Sequence, residues 1–450
     1  MRGPVDVGMP GIGAFDDHHP PSQELIDDCV HCGFCLTTCP TYSLWGEEMD
    51  SPRGRIHLMK TGLEGEPLTD EMVGHFDACL GCMACVTSCP SGVQYDRLIE
   101  QTRAQVERNH ERPASEKALR AAIFALFPYP RRLRAIRGPL RLTQRTGVDR
   151  WLRRSGLVER LSPHVAAMQQ LAPSLGAREP LPQRIPAQGE KRATVALLTG
   201  CVQREFFPGV NSATARVLAA EGCEVVVPPS QGCCGALSSH SGREDEAKSF
   251  ARKTIETFER AGVDFVVVNS AGCGSAMKDY EFLLSDDEEP TGVASSRVEA
   301  FRAKVRDLSE VLVELGPRAI RHPIPLTVAY HDACHLGHAQ GIRSQPRELL
   351  AGIPQLEVKE IADAALCCGS AGVYNILQPE PAKELGERKA RNVLATGAEL
   401  LVTANPGCLM QISSAITGLG HQMALAHTAE VLDASIRGLA PDALTKRRTA

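Results

Sequence analysis

The sequence predicts an α+β multidomain chain: a mainly helical, cysteine-rich N-terminal domain, then two repeated α/β modules built on parallel sheets. Three observations carry that prediction. The run "CVHCGFCLTTCP" (29–40) returns as "CLGCMACVTSCP" (79–90) with the same gaps between cysteines. From Thr194 onward, short apolar strands alternate with helical segments. Within that half, four cysteines recur in the same order at offsets of 133 to 135 residues.

The expected divisions are an N-terminal domain at 1–109, a basic, proline-containing helical linker at 110–193, a first module at 194–322 and a second at 323–450. With 450 residues, 43% hydrophobic and 23% charged, the composition fits a globular protein of several domains. The formal net charge of −5 argues against a nucleic-acid partner. No run approaches the ~20 apolar residues that cross a bilayer. The opening "MRGPVDVGMPGIGAFDDHHPP" has no apolar segment of a secretory signal. The chain is therefore expected in the cytoplasm, with peripheral attachment to the inner face of the membrane as a variant, and not outside the cell. Seventeen cysteines in a reducing compartment point to metal rather than to disulfides.

Both N-terminal runs read C-x2-C-x2-C-x3-C-P: Cys29, Cys32, Cys35, Cys39, Pro40 and Cys79, Cys82, Cys85, Cys89, Pro90. This pattern resembles the bacterial ferredoxin signature for two [4Fe–4S] clusters. Three thiolates on a tight loop reach three corners of a cluster, and the fourth, before the proline, points away. The resemblance implies crossed ligand sets: Cys29, Cys32, Cys35 and Cys89 for one cluster, Cys79, Cys82, Cys85 and Cys39 for the other. Pro40 and Pro90 are expected to border them. Structural zinc is the competing reading, but it favours two CxxC pairs with a spacer over a third cysteine and a trailing CP.

Between the runs, "SPRGRIHLMK" (51–60) offers Arg53, Arg55 and Lys60 to offset the negative charge of thiolate-ligated clusters; a solvated helix start is the alternative. "LIEQTRAQVERN" (98–109) reads as an amphipathic helix. In the linker, residues 129–154 hold nine arginines and one acid, Asp149. There Leu133, Ile136 and Leu140 fall at helical spacing, so that stretch suits an anionic membrane surface, an acidic partner or plain solvent. "REPLPQRIPAQGEKR" (178–192) reads as an inter-domain connection without regular structure.

In the first module, "TVALLTGC" is a strand ending at Cys201, "CEVVVPP" a second strand, "QGCCGALSSHSG" carries Cys233, Cys234 and Gly235, and "DFVVVNS" leads to Cys273. The second repeats the order: "LTVAYHDAC" ends at Cys334, "CCGSAG" carries Cys367, Cys368 and Gly369, and "TANPGC" ends at Cys408. Ligands of parallel sheets sit beyond the carboxyl ends of the strands, where these cysteines fall. Gly235 and Gly369 would let the backbone turn sharply beside a metal cluster. The seventeenth cysteine, Cys223, opens a strand and reads as a structural thiol.

Taken together, the two runs, "SPRGRI" between them, and the "CCGA", "AGCG", "CCGSAG" and "TANPGC" segments resemble the iron–sulfur subunits of bacterial glycolate oxidase, from about Asp27 to His427. The wider class of CCG-domain proteins includes subunits of lactate oxidation and of anaerobic glycerol-3-phosphate dehydrogenase, and heterodisulfide reductases. The resemblance implies an electron-transfer subunit: FAD-containing partner subunits oxidise a 2-hydroxy acid, foremost glycolate, and electrons pass through two [4Fe–4S] clusters toward a quinone or other membrane acceptor. Cys201, Cys233, Cys234 and Cys273, and Cys334, Cys367, Cys368 and Cys408, are candidate ligands of one further cluster per module. Fuller CCG modules end in CxxC; here Ser270 and Asn405 stand at the first cysteine of that pair, which weighs against disulfide-reductase chemistry.

His331, His335 and His338 surround Cys334, and His240 follows the first CCG. They read as structural or as hydrogen-bonding neighbours of cluster sulfurs, with iron ligation as the alternative, and Asp332 as a candidate to orient His331. No G-x-G-x-x-G opens a helix after a strand and no P-loop occurs, so substrate oxidation, and any catalytic residue, is expected in a partner. The competing function is a CCG-domain reductase acting itself on a disulfide or quinone.

Overall fold

Residues 13–176, 179–285 and 294–446 are described by the structure, a computed structural model, the side chain of Arg154 excepted. The stretch 1–12, on which the absence of a secretory signal was partly read, lies outside the described residues. The chain divides into two units: residues up to 117 with 239–243, and 118–238 with 244–450.

The first unit is helical. Its elements are α1 (Gln23–Asp27), α2 (Pro40–Trp45), α3 (Pro52–Leu63), α4 (Asp70–Ala78), α5 (Ala84–Ser88) and α6 (Tyr95–Asn109). Local chemistry starts them: Ser51 Oγ accepts from the Gly54 N–H at 3.0 Å with Pro52 in the first turn, and Thr69 Oγ1 accepts from Met72 N–H at 3.2 Å. Ile56 and Met59 of α3, Val73 and Phe76 of α4, and Leu98 and Ile99 of α6 bury together. Each such side chain contributes about 1.5–3 kcal/mol.

The second unit opens with the linker helices α7 (Ala114–Leu126, its residues from 118 on), α8 (Pro130–Thr146), α9 (Val148–Ser155), α10 (Leu157–Leu161) and α11 (Pro163–Leu171). On α8 the expected stripe of Leu133, Ile136 and Leu140 is not what packs. Leu133 is buried, but its partner on the buried face is Arg137, while Ile136 is 39% exposed. The cause lies across the contact: the buried Glu205 takes Arg134 at 3.0 Å, and Arg137 donates to the Glu205 carbonyl at 2.8 Å. A buried carboxylate needs its cations more than the surface needs another isoleucine.

Two sheets follow, from β1 (Arg184–Ile185), β2 (Ala193–Leu197), β3 (Cys223–Val226), β4 (Phe265–Val268), β5 (Val305–Asp307), β6 (Leu326–His331), β7 (Leu356–Glu360), β8 (Leu400–Thr403) and β9 (Ala424–His427). Their orders are β1-β3-β2-β4-β5 and β7-β6-β8-β9. Apart from β1 the pairings are parallel, and β3-β2-β4-β5 repeats as β7-β6-β8-β9, so the expected duplication stands. β1 is antiparallel to β3 and lies in the stretch expected to be irregular.

The two modules share one core. Val195 and Leu197 of β2, Val328 and Tyr330 of β6 and Leu400 of β8 belong to a single buried cluster. The helix Pro208–Ala220 of the first module faces Thr428–Ile436 of the second, and Arg216 grips Asp433 with two bonds at 2.9 and 2.7 Å. In each sheet the chain steps one way from the first strand and then back to its other side. The crevice at that reversal opens at the carboxyl ends of β2 and β4, and of β6 and β8.

Candidate metal centres

In the first unit, the two cysteine loops take the same path. Left-handed backbone falls at His31 (φ 53°) and Gly33 (φ 84°), and at the matching Gly81 (φ 62°) and Met83 (φ 62°). These turns coil each C-x2-C-x2-C segment on itself and aim its three thiols inward. Two cavities result. One is lined by Cys29, Cys32, Cys35, Cys85, Cys89 and Pro90; the other by Cys39, Cys79, Cys82, Cys85 and Pro40. Each thus holds three thiols of one run with the last thiol of the other, Cys85 lies on both, and Pro52 and Tyr95 line both as well.

The SPRGRI segment serves this pair. Gly54 has no room for a side chain, since a Cβ would stand 2.0 Å from the Glu48 carbonyl oxygen. Arg53 donates to Glu48 through a fork and to the His31 carbonyl at 3.0 Å, bracing the first cysteine loop. Arg55 is 1% exposed and donates to Thr41 Oγ1 (3.2 Å), Asp50 O (2.6 Å) and His75 O (2.6 Å). Burial opposes its charge, but Tyr95, Cys79, Cys39 and Asp50 hold the guanidinium charged. Lys60, expected to share this task, is exposed instead.

The thiols feel this field unequally. Burial opposes charge on Cys79, yet Arg55 and Arg103, with the Gly81 N–H and the Tyr95 hydroxyl, hold it below the ordinary thiol value. Burial, with the like charges of Cys82, Cys79, Cys39 and Cys35, pushes Cys85 well up, and Cys35 rises to about 11, chiefly by burial. Such thiols deprotonate when a metal takes the proton's place, and the donor set fits iron–sulfur ligation.

In the second unit the module cysteines converge as well. Cys201 Sγ lies 3.7 Å from Cys233 Sγ, and Cys234 is within hydrogen-bond reach of both Cys233 and Cys273. In the second module, Cys334 reaches Cys367, and Cys368 reaches Cys367 and Cys408. Cys201 and Cys273 follow β2 and β4, and Cys334 and Cys408 follow β6 and β8, at the crevices. The CCG loops arrive from beyond β3 and β7 through Gly235 and Gly369, both at φ 87°. The Gly235 N–H donates to Cys233 Sγ at 3.4 Å. Neighbouring thiols and burial raise Cys233, Cys273 and Cys334 far above the usual thiol range. Cys223 stands apart, fully buried at the start of β3.

The histidines separate. Both ring nitrogens of His331 are buried without a hydrogen-bond partner, and one lies within 4.8 Å of Cys368 Sγ and Cys408 Sγ. Burial holds its imidazole well below the usual basicity. Asp332 does not orient it: that carboxylate is held by Arg347 at 2.8 and 2.7 Å, because a fork of charged donors outbids a neutral ring. His335 Nδ1 stands 3.5 Å from Cys334 Sγ, His338 pairs with the Ala365 carbonyl at 3.1 Å, and His240 with Glu100 at 3.0 Å. One functional neighbour was not seen in the sequence. Lys389 is 1% exposed and donates to the Asp363 and Ala364 carbonyls; burial lowers its basicity, against the charges of Cys368, Cys367 and Cys408. Its signal was a lysine on the apolar stripe of Leu385 and Val393.

Comparison with known proteins matches four stretches of the chain. Residues 25–93 match the 4Fe-4S dicluster domain, 115–172 the linker region of the glycolate oxidase iron-sulfur subunit, and 195–278 and 328–413 the cysteine-rich domain. A probable glycolate oxidase iron-sulfur subunit of Bacillus subtilis is 39% identical over 91% of this chain and 93% of that one. The glycolate oxidase iron-sulfur subunit of Escherichia coli is 32% identical over 88% and 91%. Lactate utilization protein A of an Exiguobacterium is 34% identical over 54% of this chain and 98% of its own. A solved structure of a hypothetical protein from Helicobacter pylori, 7% identical, shares the fold with a TM-score of 0.52 over 86% of this chain and 68% of that one. Two crossed cysteine cavities, a matching linker and a duplicated cysteine module place the chain in the glycolate oxidase iron–sulfur subunit family, as an electron-transfer subunit that carries iron–sulfur clusters.

Proposed function

We propose that the chain relays electrons within a 2-hydroxy-acid dehydrogenase complex, with glycolate as the foremost substrate. FAD-containing partner subunits take two electrons from the acid, and a quinone or other membrane acceptor receives them. In this reading two [4Fe–4S] clusters, on Cys29, Cys32, Cys35 and Cys89 and on Cys79, Cys82, Cys85 and Cys39, supply single-electron transfer, and each cysteine-rich module fits one further centre. The observation that carries the reading is the pair of crossed cavities sharing Pro52, Cys85 and Tyr95 as a common border. Centres one layer of side chains apart suit electron hopping. The residues' own work is to gather the thiols, brace their loops and place Arg55 and Arg103 against their charge.

Chain prepared without oxygen is expected to carry about eight iron and eight sulfide in the N-terminal runs. It should be reduced by glycolate only when the FAD-containing subunits are added, and re-oxidised by quinone. Iron-free chain that still completes an active complex sinks the reading. Turnover of a disulfide or quinone by isolated chain, without a flavoprotein, favours a CCG-domain reductase instead.

The same reading lays α8 to α11 on the inner face of the membrane. Among the described residues, Leu142, Trp151 and Leu161 are 62%, 62% and 78% exposed, on helices with exposed Arg131, Arg132, Arg145 and Arg150. Among the described residues no helix is long and apolar enough to cross a bilayer. Co-sedimentation with anionic vesicles that weakens with salt is the expected result; equal binding to neutral vesicles, or none, overturns it.

A further inference from the structure

We propose that the metal centre of the second cysteine-rich module has a nitrogen ligand, His331, and so differs in kind from the all-thiol site of the first. Three observations converge. His331 closes β6 at 1% exposure, and neither ring nitrogen has a hydrogen-bond partner. Orphaned imidazole nitrogens at that depth are costly to fold unless something binds them. What stands beside one of them is a pair of thiols: a ring nitrogen of His331 and the Sγ atoms of Cys368 and Cys408 lie within 4.8 Å of one another. One imidazole with thiolates is a donor set for iron or zinc.

The first module is an internal control. Cys201 corresponds to Cys334, and counting back three residues from each sets Leu198 against His331. Leu198 is 2% exposed and packs in an apolar cluster with Cys234. A second difference faces the same place. Gly235 lies against Ala247, and Gly369 against Ala382, so the two helices align at an offset that sets Thr254 against Lys389. Thr254 is neutral and hydrogen-bonds the Cys233 carbonyl at 3.4 Å and the Tyr280 hydroxyl, whereas Lys389 brings a buried cation toward Cys367, Cys368 and Cys408. A cation nearby offsets the negative charge of a centre and raises its potential. The second module then becomes the place where electrons arrive last. This consequence rests on the relay reading; the ligand assignment does not.

Full-length chain labelled with 15N-histidine is purified without oxygen and analysed for iron, zinc and acid-labile sulfide, beside His331→Leu, which installs the first module's residue. The expected result is loss of one centre's metal in His331→Leu: one zinc, or the iron and sulfide of one cluster. In the iron case, pulsed EPR of wild type shows a 15N coupling that the variant lacks; in the zinc case, zinc-edge absorption shows an imidazole shell that the variant lacks. His331→Cys, which keeps a donor, should retain the metal with a changed spectrum, which separates lost ligation from lost folding. Equal metal and identical spectra in wild type and His331→Leu overturn the proposal, as does wild type with no metal beyond the N-terminal runs. Empty N-terminal runs would sink the relay reading while leaving His331 as a ligand.

Discussion

Ser270 and Asn405 hydrogen-bond to each other, Oγ of the serine donating to Oδ1 of the asparagine at 3.4 Å. They hold matching places in the two modules, where fuller CCG modules carry a cysteine. The backbone joins beside them, Ala271 N–H donating to the Ala404 carbonyl at 3.2 Å. The two side chains thus form a polar clasp between the loops that carry Cys273 and Cys408. Asn405 also donates Nδ2–H to Cys408 Sγ at 3.3 Å.

That last bond predicts a redox effect. A donor to a ligand sulfur stabilises the more negative, reduced state. Asn405→Ala removes a bond worth about 1 kcal/mol. Where the second-module centre is an iron–sulfur cluster, this lowers its one-electron potential by roughly 40 mV. EPR-monitored redox titration reads it, with the N-terminal signals as internal reference; an unmoved or raised potential refutes the role.

Arg55 is a buried cation lining the cavity of Cys39, Cys79, Cys82 and Cys85, and its removal leaves several acceptors unanswered. Arg55→Met is expected to cost about 3–5 kcal/mol in the first unit, the range for breaking a buried ionic network from one side. It should also cost the centre of Cys79, Cys82, Cys85 and Cys39 before its neighbour. Arg53→Met, on a half-buried fork to Glu48, should cost no more than about 1 kcal/mol. Iron per chain and thermal unfolding of both variants check the order; equal loss from the two contradicts it.

How much of this was legible follows from range along the chain. Strands such as β2 and β8 announce themselves as apolar runs bounded by turns, and their terminal cysteines mark the crevices. The pairing of Cys39 with the second run came from resemblance to a ferredoxin pattern, not from periodicity. Local pattern failed where a distant partner decides. Arg137 takes the buried place meant for Ile136 because Glu205 lies opposite, Asp332 turns to Arg347, and two-residue β1 exists only because β3 offers it an edge. The meeting of Ser270 and Asn405, 135 residues apart, has no local trace at all.

The CCG turns predict an unequal response to the same substitution. At Gly369 a Cβ would meet the Ala382 carbonyl oxygen at 2.6 Å, whereas at Gly235 the matching contact with Ala247 is 3.1 Å. Both sites lie at φ 87°, so Gly→Ala carries a conformational cost of about 1–2 kcal/mol in either. Only Gly369→Ala adds a backbone clash, and it should empty the second-module site while Gly235→Ala leaves the first partly loaded. Metal content of the two variants decides; the reverse order would contradict the geometry.

The two modules also carry opposite pH responses at one structural position. Asp307 ends β5 and His427 ends β9, and each opens the next helix with a capping box, closed by Glu310 and Glu430. Burial raises Asp307 to about 6, and burial lowers His427 to about 4. For the acid, the folded chain holds a proton that the unfolded chain has released, so its contribution to stability grows as pH falls from about 6 toward 4. For the histidine, the unfolded chain takes a proton near pH 6.5 that the folded chain refuses, so stability is lost from about 6.5 down to 4. At ~1.4 kcal/mol per unit, each effect is about 3 kcal/mol, and in the wild type they largely cancel. His427→Asn is therefore expected to gain relative to wild type on going from pH 7.5 to 4.5, and Asp307→Asn to lose. Unfolding midpoints by circular dichroism, taken as variant minus wild type at each pH, remove the shared acid lability of any cluster. Shifts of the same sign in both variants would contradict the assignment.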